Sequence, residues 1–250
     1  MTYCIGISLD DGLVLTSDSR TNAGIDHVST YSKMHRCETN PDRSLFIMSA
    51  GNLATTQGVI HQIRRDVQEG APRNLNSLNY LSDIAEYLGD VLVSRIRKHS
   101  EMAGFVPEST LLLGGQLKGR NPNLYMIYQQ GNYITTSDDT RYLQIGESKY
   151  GKPVLDRFIS HNTSLEDAAI CSLISMDSTM KSNASVGPPI EVLLYKRDSY
   201  CAEHYRLDAD HPYLLSIRHE WANQLYKGFR SMPRMIGSVL PDNISQCNSI

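Results

Sequence analysis

The sequence predicts an α+β protein in which two β-sheets pack face to face and helices cover each outer side, a four-layer αββα sandwich. Three observations carry that expectation. Strand-like and helix-like patterns fall in segregated blocks, in the order strands, helix pair, strands, helix pair, strands and one further helix; blocks of that kind bury their apolar faces as stacked layers. The chain has 250 residues, 40% of them hydrophobic, and a chain of this length buries roughly three quarters of its unfolded surface, so one core forms without staples. No apolar run approaches the roughly 20 residues of a membrane span.

Taken in order, Tyr3 to Leu9 reads as an apolar strand, Asp10-Asp11-Gly12 as a turn and Leu13 to Ser17 as its partner strand. Thr21 to Ser32 is polar and irregular. Lys33 to Cys37 and Ser44 to Ser49 give two more strands around an Asn40-Pro41-Asp42 turn. Leu53, Ile60, Ile63 and Val67 recur at helical spacing and predict a helix over 52–69. Leu81, Ile84, Leu88, Val91 and Ile96 predict a second over 76–100, after a Gly70–Pro72 connection. Strands follow at 110–114, 124–128, 133–136 and 142–145, then a helix pair whose second member opens on a Thr163–Glu166 capping box. Strands at 191–195 and 200–206 close the β pattern. Asp210 and Pro212 start a terminal helix with Leu214, Ile217, Trp221 and Leu225 on one stripe and Gly228 as a stop. That stripe is either an intramolecular packing face or a subunit contact, and the lone Trp221 favours the contact. The tail from Pro233 is polar. We expect one domain over 1–206, with 207–250 as a helical extension and tail.

Net charge is −3 and basic residues are scattered, so no nucleic-acid footprint is expected; no membrane association is expected either. The N-terminus lacks the basic-then-apolar layout of a signal peptide. Cys4, Cys37, Cys171, Cys201 and Cys247 stand singly, without C-x-x-C or zinc-like spacing, which points to reduced thiols and a cytoplasmic setting. His219-Glu220 lacks a second histidine four residues on, so the zinc-protease pattern fails. Gly146-Glu147-Ser148 is not a nucleophile elbow, because the next glycine is Gly151. No metal or cofactor is expected.

The chemistry points to the N-terminus. Met1 precedes Thr2, a small residue, so loss of the methionine would place a hydroxyl and a free α-amine on one residue, a nucleophile joined to its own base. An α-amine, with an ordinary pKa of about 8, is unprotonated far more often at neutral pH than a lysine at about 10.4. Alone this start is commonplace. Its company is Ser17-Asp18-Ser19-Arg20 after the second strand, Lys33-Met34-His35-Arg36 at the next, and Ser49-Ala50-Gly51 joining a strand to a helix. This layout resembles the proteasome β-subunit family of N-terminal-nucleophile hydrolases, with one deletion between Gly24 and Lys33. The blocks Met1–Cys4, Ser17–Gly24, Ser49–Thr56 and Ile145–Gly151 are similar to the bacterial group Anbu (ancestral beta subunit), across about residues 2–206, and the 207–231 helix resembles that group's extension.

The resemblance implies a threonine-type peptidase or amidohydrolase acting through an acyl ester on Thr2, with the α-amine as general base. Lys33 would lower the hydroxyl's pKa, Asp18 would hold Lys33, and the Gly51 N–H would hold the oxyanion. Tyr31, His35, Ser49 and Leu53 would line the pocket for the residue before the cut bond. The chain departs from the family at Glu147-Ser148, where Glu147 would pair with the amine and raise its pKa while Ser148 takes the family serine's place. The family's late Asp and Ser have no clean counterpart in 183–189, and Asp177 matches only by a shifted alignment. The implied partners are further copies of the chain, in a ring or open spiral, and a peptide or amide substrate; no ATP-driven unfoldase is evident. The rival reading is a non-proteolytic oligomeric scaffold, or an amidase for a modified peptide.

Overall fold

The computed structural model describes residues 1–22, 28–37 and 40–234. Strands β1 (Tyr3–Leu9) and β2 (Gly12–Asp18) form the first hairpin. They join β10 (Tyr142–Gly146), β11 (Ile190–Lys196) and β12 (Ala202–Leu207) in a five-stranded antiparallel sheet of order β10-β1-β2-β11-β12. A second antiparallel sheet runs β5 (Met34–Arg36), β6 (Arg43–Gly51), β7 (Ser109–Leu117), β8 (Asn123–Ile127) and β9 (Tyr133–Thr135). Helices α1 (Leu53–Gln68) and α2 (Leu81–Ala103) bury Ile60, Ile63, Ile84 and Leu88 against Ile47 and Leu113 of the second sheet. On the other side α3 (Lys152–Phe158) and α4 (Leu165–Ser182) pack Leu155, Leu173 and Met176 onto Tyr3, Ile5 and Val192.

Between the sheets lies a third apolar layer of Cys4, Leu13, Leu15, Met48, Leu112 and Leu193. Covered on both faces, β2 is buried along its whole length, and its Leu13-Val14-Leu15 run is continuous rather than alternating. The predicted αββα sandwich is the observed one.

Several element boundaries differ from the sequence reading. Residues 20–22 and 28–30, within or beside the stretch read as irregular, pair as a ribbon of β3 (Arg20–Asn22) and β4 (Val28–Thr30). The second helix starts at Leu81, not 76. The Asn74 side chain accepts from the Asn76 and Ser77 amides at 2.7 and 3.1 Å, and Arg43 donates to the Leu75 and Leu78 carbonyls; this local bonding outcompetes helix there. The α4 cap is Ser164, whose Oγ accepts from the Asp167 amide at 3.1 Å, one residue later than the Thr163–Glu166 box. The terminal helix α5 (Pro212–Ser231) is capped by His211 and runs through Gly228. Of its predicted stripe, Leu214 is fully buried and Ile217 packs on the core, while Leu225 is exposed. The tail beyond Arg234 and Cys247 lie outside the described residues. Among these residues no helix is long and apolar enough to cross a membrane.

Candidate active site

The hairpin register brings the site together. Cys4 pairs with Ser17 across β1 and β2, so the next step outward sets Tyr3 beside Asp18, and the Tyr3 amide donates to Asp18 Oδ1 at 3.0 Å. Thr2 is fixed from the other side, where the Glu147 amide donates to its carbonyl at 2.7 Å. Gly146 packs against that carbonyl with φ +82°, and a Cβ there would lie 2.0 Å from the Thr2 oxygen; glycine alone permits this approach.

Asp18 is fully buried and hydrogen-bonded at both oxygens. Lys33 Nζ donates to Oδ1 at 2.6 Å, and the Gly187 amide donates to Oδ2 at 3.2 Å. Lys33, 5% exposed, also donates to the Arg20 carbonyl at 2.8 Å. Burial is the largest influence on Asp18 and pushes its carboxyl above the ordinary range, against the pull of Lys33 and the two amides. Ser49, on β6, ties down the root of Lys33 by donating its amide to the Lys33 carbonyl at 3.1 Å.

Thr2, Lys33 and Ser49 open onto a cavity of about 380 Å³, also lined by Met1, His35, Gly51 and Leu53, with Thr21, Ser32, Thr56, Gln57, Glu108 and Gly146, while Asp18 stays behind its wall. Gly51 ends β6 with φ +111°, immediately before Asn52, whose side chain caps α1 by accepting from the Thr55 amide at 3.0 Å. Burial, with Arg64 adding to it, pushes the His35 imidazole down to about 4, so a neutral ring faces the cavity at neutral pH. The Met1 amine lies below its ordinary value because of burial first and Lys33 second, opposed by Asp18 and Glu147. It therefore sits within electrostatic reach of all three. Burial pushes the Cys4 thiol far up, which removes it as a nucleophile.

Glu147 is 7% exposed and accepts from Asn183 Nδ2 at 3.1 Å. At the Met1 amine the net direction is downward, with burial and Lys33 outweighing the upward pull of Asp18 and Glu147; the Thr2 amine, which forms only when Met1 is lost, is a different group. Ser148 is half-buried beside Glu147 and does not line the cavity. Tyr31 is 43% exposed and also outside the lining, its amide bonded to the Ser19 carbonyl. Asp177 is remote in role: Arg218 of α5 donates to it at 2.7 Å and Lys181 lies at 3.3 Å. Sequence reasoning missed Gly187 and Asn183. The signal for the first lay in the Gly187-Pro188-Pro189 run, inside the 183–189 stretch that offered no counterpart of the family's late Asp and Ser; it delivers an amide to Asp18 and the Gly187 carbonyl to the Ser19 and Arg20 amides. Among the described residues no cluster of three or more His, Cys, Asp or Glu could hold a metal. A second cavity, of about 390 Å³ between α4, β11, β12 and the start of α5, is mostly apolar and contains no pairing of nucleophile and base.

The model of the proteasome subunit family matches residues 2–194. Anbu (ancestral beta-subunit) from Yersinia bercovieri superposes with a TM-score of 0.88 at 44% identity, covering 93% of this chain and 98% of that one. The Anbu complex of Pseudomonas aeruginosa, solved as a helical assembly, gives 0.90 at 38% identity, with 95% and 100% covered. The proteasome subunit alpha of Natronomonas pharaonis is 29% identical over 125 residues, 50% of this chain and 45% of that protein, so the chain spans about half the length of such curated relatives. With the fold, the family match over residues 2–194 and the superposed structures in agreement, the chain belongs to the proteasome-subunit family, in its Anbu branch.

Proposed function

We propose that this chain is a threonine-type amidohydrolase that cleaves peptide bonds, or the amide of a modified peptide, through an acyl ester on Thr2. The observation that carries the reading is the shared cavity of Thr2 and Lys33, with Lys33 locked onto a fully buried Asp18. Removal of Met1 frees the Thr2 amine. The Thr2 hydroxyl then attacks the amide carbon and passes its proton to that amine, directly or through one water. Asp18 and the Arg20 carbonyl take two of the three ammonium hydrogens of Lys33, leaving the third for the developing alkoxide. The Gly51 N–H holds the tetrahedral oxyanion, a donor whose loss elsewhere costs about 3 kcal/mol of barrier. The amine returns its proton to the leaving nitrogen, and water hydrolyses the ester by the same relay. Neutral His35, Ser49 and Leu53 form the pocket for the residue before the cut bond.

The same reading includes self-assembly: α5 exposes Leu225, Tyr226 and Phe229 at 52%, 58% and 65%, an apolar surface suited to a further copy of the chain. Light scattering of the purified protein tests that part; a monomer at micromolar concentration counts against it. For the chemistry, a peptide library is incubated with the protein and with Thr2→Ala, alongside an epoxyketone electrophile and intact-mass analysis. The expected result is loss of Met1, one adduct on Thr2, and a roughly thousandfold or greater drop in turnover for the variant. Retained Met1 without turnover would instead favour a non-hydrolytic scaffold, and equal turnover in Thr2→Ala would place the chemistry away from Thr2.

A further inference from the structure

A buried carboxylate beside the cavity has no part in the hydrolytic steps. Glu191, on β11, is 4% exposed and pairs in register with Ser17. Strand alternation sends it to the same side as Leu193 and Tyr195, into the layer between the sheets. Its Oε2 accepts from Ser32 Oγ at 2.6 Å. Its Oε1 lies 3.9 Å from both His204 Nε2 and Arg206 Nη1 on β12. A carboxylate out of water is expensive unless its oxygens find such partners.

Ser32 has a single hydroxyl proton and two acceptors in reach, Glu191 and the Met34 carbonyl at 3.0 Å. The shorter contact to the carboxylate wins, because charge-assisted bonds are the stronger ones. The same Oγ accepts from the Met34 amide at 3.3 Å. Glu191 thus reaches through one hydroxyl to the residues on both sides of Lys33, and the Ser49 amide clamps the Lys33 carbonyl between them. Lysine carries its charge on a four-carbon stem with high rotamer entropy, so the place of Nζ depends on how firmly its backbone is rooted.

We infer that Glu191 is a positioning residue which, through Ser32, fixes the root of Lys33 and so sets its ammonium between Asp18 and Thr2. The consequence for rate rests on the amidohydrolase reading; the placement of Lys33 does not. Glu191→Gln, Ser32→Ala and the double variant are made in the full-length chain. Each is assayed for the rate and half-saturation of electrophile labelling at Thr2, for its melting temperature, and for the 13Cε shift of Lys33, identified by its loss in Lys33→Arg. Each single variant is expected to label roughly tenfold more slowly at unchanged half-saturation, with the Lys33 signal displaced. The double variant is expected to be no slower than the slower single, because the two residues act in series. Thr16→Ala breaks a buried 2.7 Å contact with Ser172 of α4 and is expected to leave rate and signal unchanged. Losses that multiply to about a hundredfold, or a Lys33 signal unmoved in both single variants, would overturn the inference. If Glu191→Gln does not fold, Ser32→Ala alone decides by the same two readouts. If the wild type is not labelled at Thr2, the amidohydrolase reading fails and the Lys33 signal still decides the placement.

Discussion

Lys33 meets Asp18 and Lys152 meets Asp156 at the same 2.6 Å, yet the first pair is sealed between strands and the second lies on the open face of α3. The side chains of the first are 6% and 0% exposed, those of the second 54% and 48%. The two aspartates move in opposite directions. Burial pushes Asp18 up despite its lysine, whereas hydrogen bonding to Lys152, and next to Tyr142, holds Asp156 below the usual carboxylate range. A short contact is therefore no measure of what a pair contributes. In the buried pair desolvation is large, and the geometry persists because Tyr3, Gly187 and Arg20 supply further partners. In the exposed pair water screens both charges.

The largest expected effect comes from breaking the buried pair on one side. Lys33→Met leaves the Asp18 carboxyl in an apolar layer with only two backbone amides, at a cost of about 3–5 kcal/mol. Adding Asp18→Asn removes the stranded charge, so the double variant recovers part of that loss. Denaturant unfolding of the two variants beside Lys152→Met measures this. If Lys33→Met were no more destabilised than Lys152→Met, burial would not be what separates the pairs.

A second probe asks whether the backbone of the sealed region is as unforgiving as its charges. A Cβ on Gly51 would lie 2.2 Å from the Glu108 carbonyl oxygen at φ +111°. Gly51→Ala is expected to cost about 2–3 kcal/mol through strain and the displaced β7 edge. It also slows labelling of Thr2 more than the stability loss explains, since the Gly51 amide moves with it. Urea unfolding paired with labelling kinetics separates the two effects.

How much of this was legible in the sequence follows the same division. The four layers were, because buried strands carry continuous apolar runs such as Leu13-Val14-Leu15 of β2 and amphipathic helices announce their period. The pairing of Asp18 with Lys33, and the cavity shared by Lys33, Thr2 and Gly51, were, because these residues stand in short motifs at strand ends. Partners brought in by tertiary structure were not. Gly187 reaches Asp18 through an amide that carries no side-chain signature, and Asn183 and Glu191 come from 36 and 159 residues away from Glu147 and Ser32. Tyr31 is exposed and outside the cavity lining, directly after a ribbon that the polar stretch did not announce.

His35 is an intermediate case, a half-buried titratable group with no carboxylate partner among the described residues. Its folded pKa, about 4, lies below the ordinary 6.5 because of burial and then Arg64. A depressed histidine pKa means that the unfolded chain takes up the proton first. The neutral ring's contribution is therefore present above about pH 6.5 and is lost as pH falls toward about 4. His35→Gln, which stays neutral, should flatten that limb by on the order of 1–2 kcal/mol. Denaturant unfolding at pH 7, 5.5 and 4.5 reads it; parallel curves for the two proteins would place the ring in water.

The smallest expected effect belongs to the exposed pair. Asp156→Asn keeps one acceptor oxygen for the Tyr142 hydroxyl and Lys152, and removes the charge together with the second oxygen's bond to Lys152. Because the folded pKa of Asp156 lies below its unfolded value, any contribution is present above about pH 4 and disappears as pH falls through the folded pKa. Water and side-chain entropy leave less than about 0.5 kcal/mol. In 1 M salt, where screening acts over about 3 Å, even that difference from wild type should vanish, whereas the Lys33→Met deficit should persist, since no ion of the solvent reaches Asp18. A salt-dependent Lys33→Met deficit would mean that the cavity floor admits solvent ions, and the contrast between the two pairs would then be one of degree.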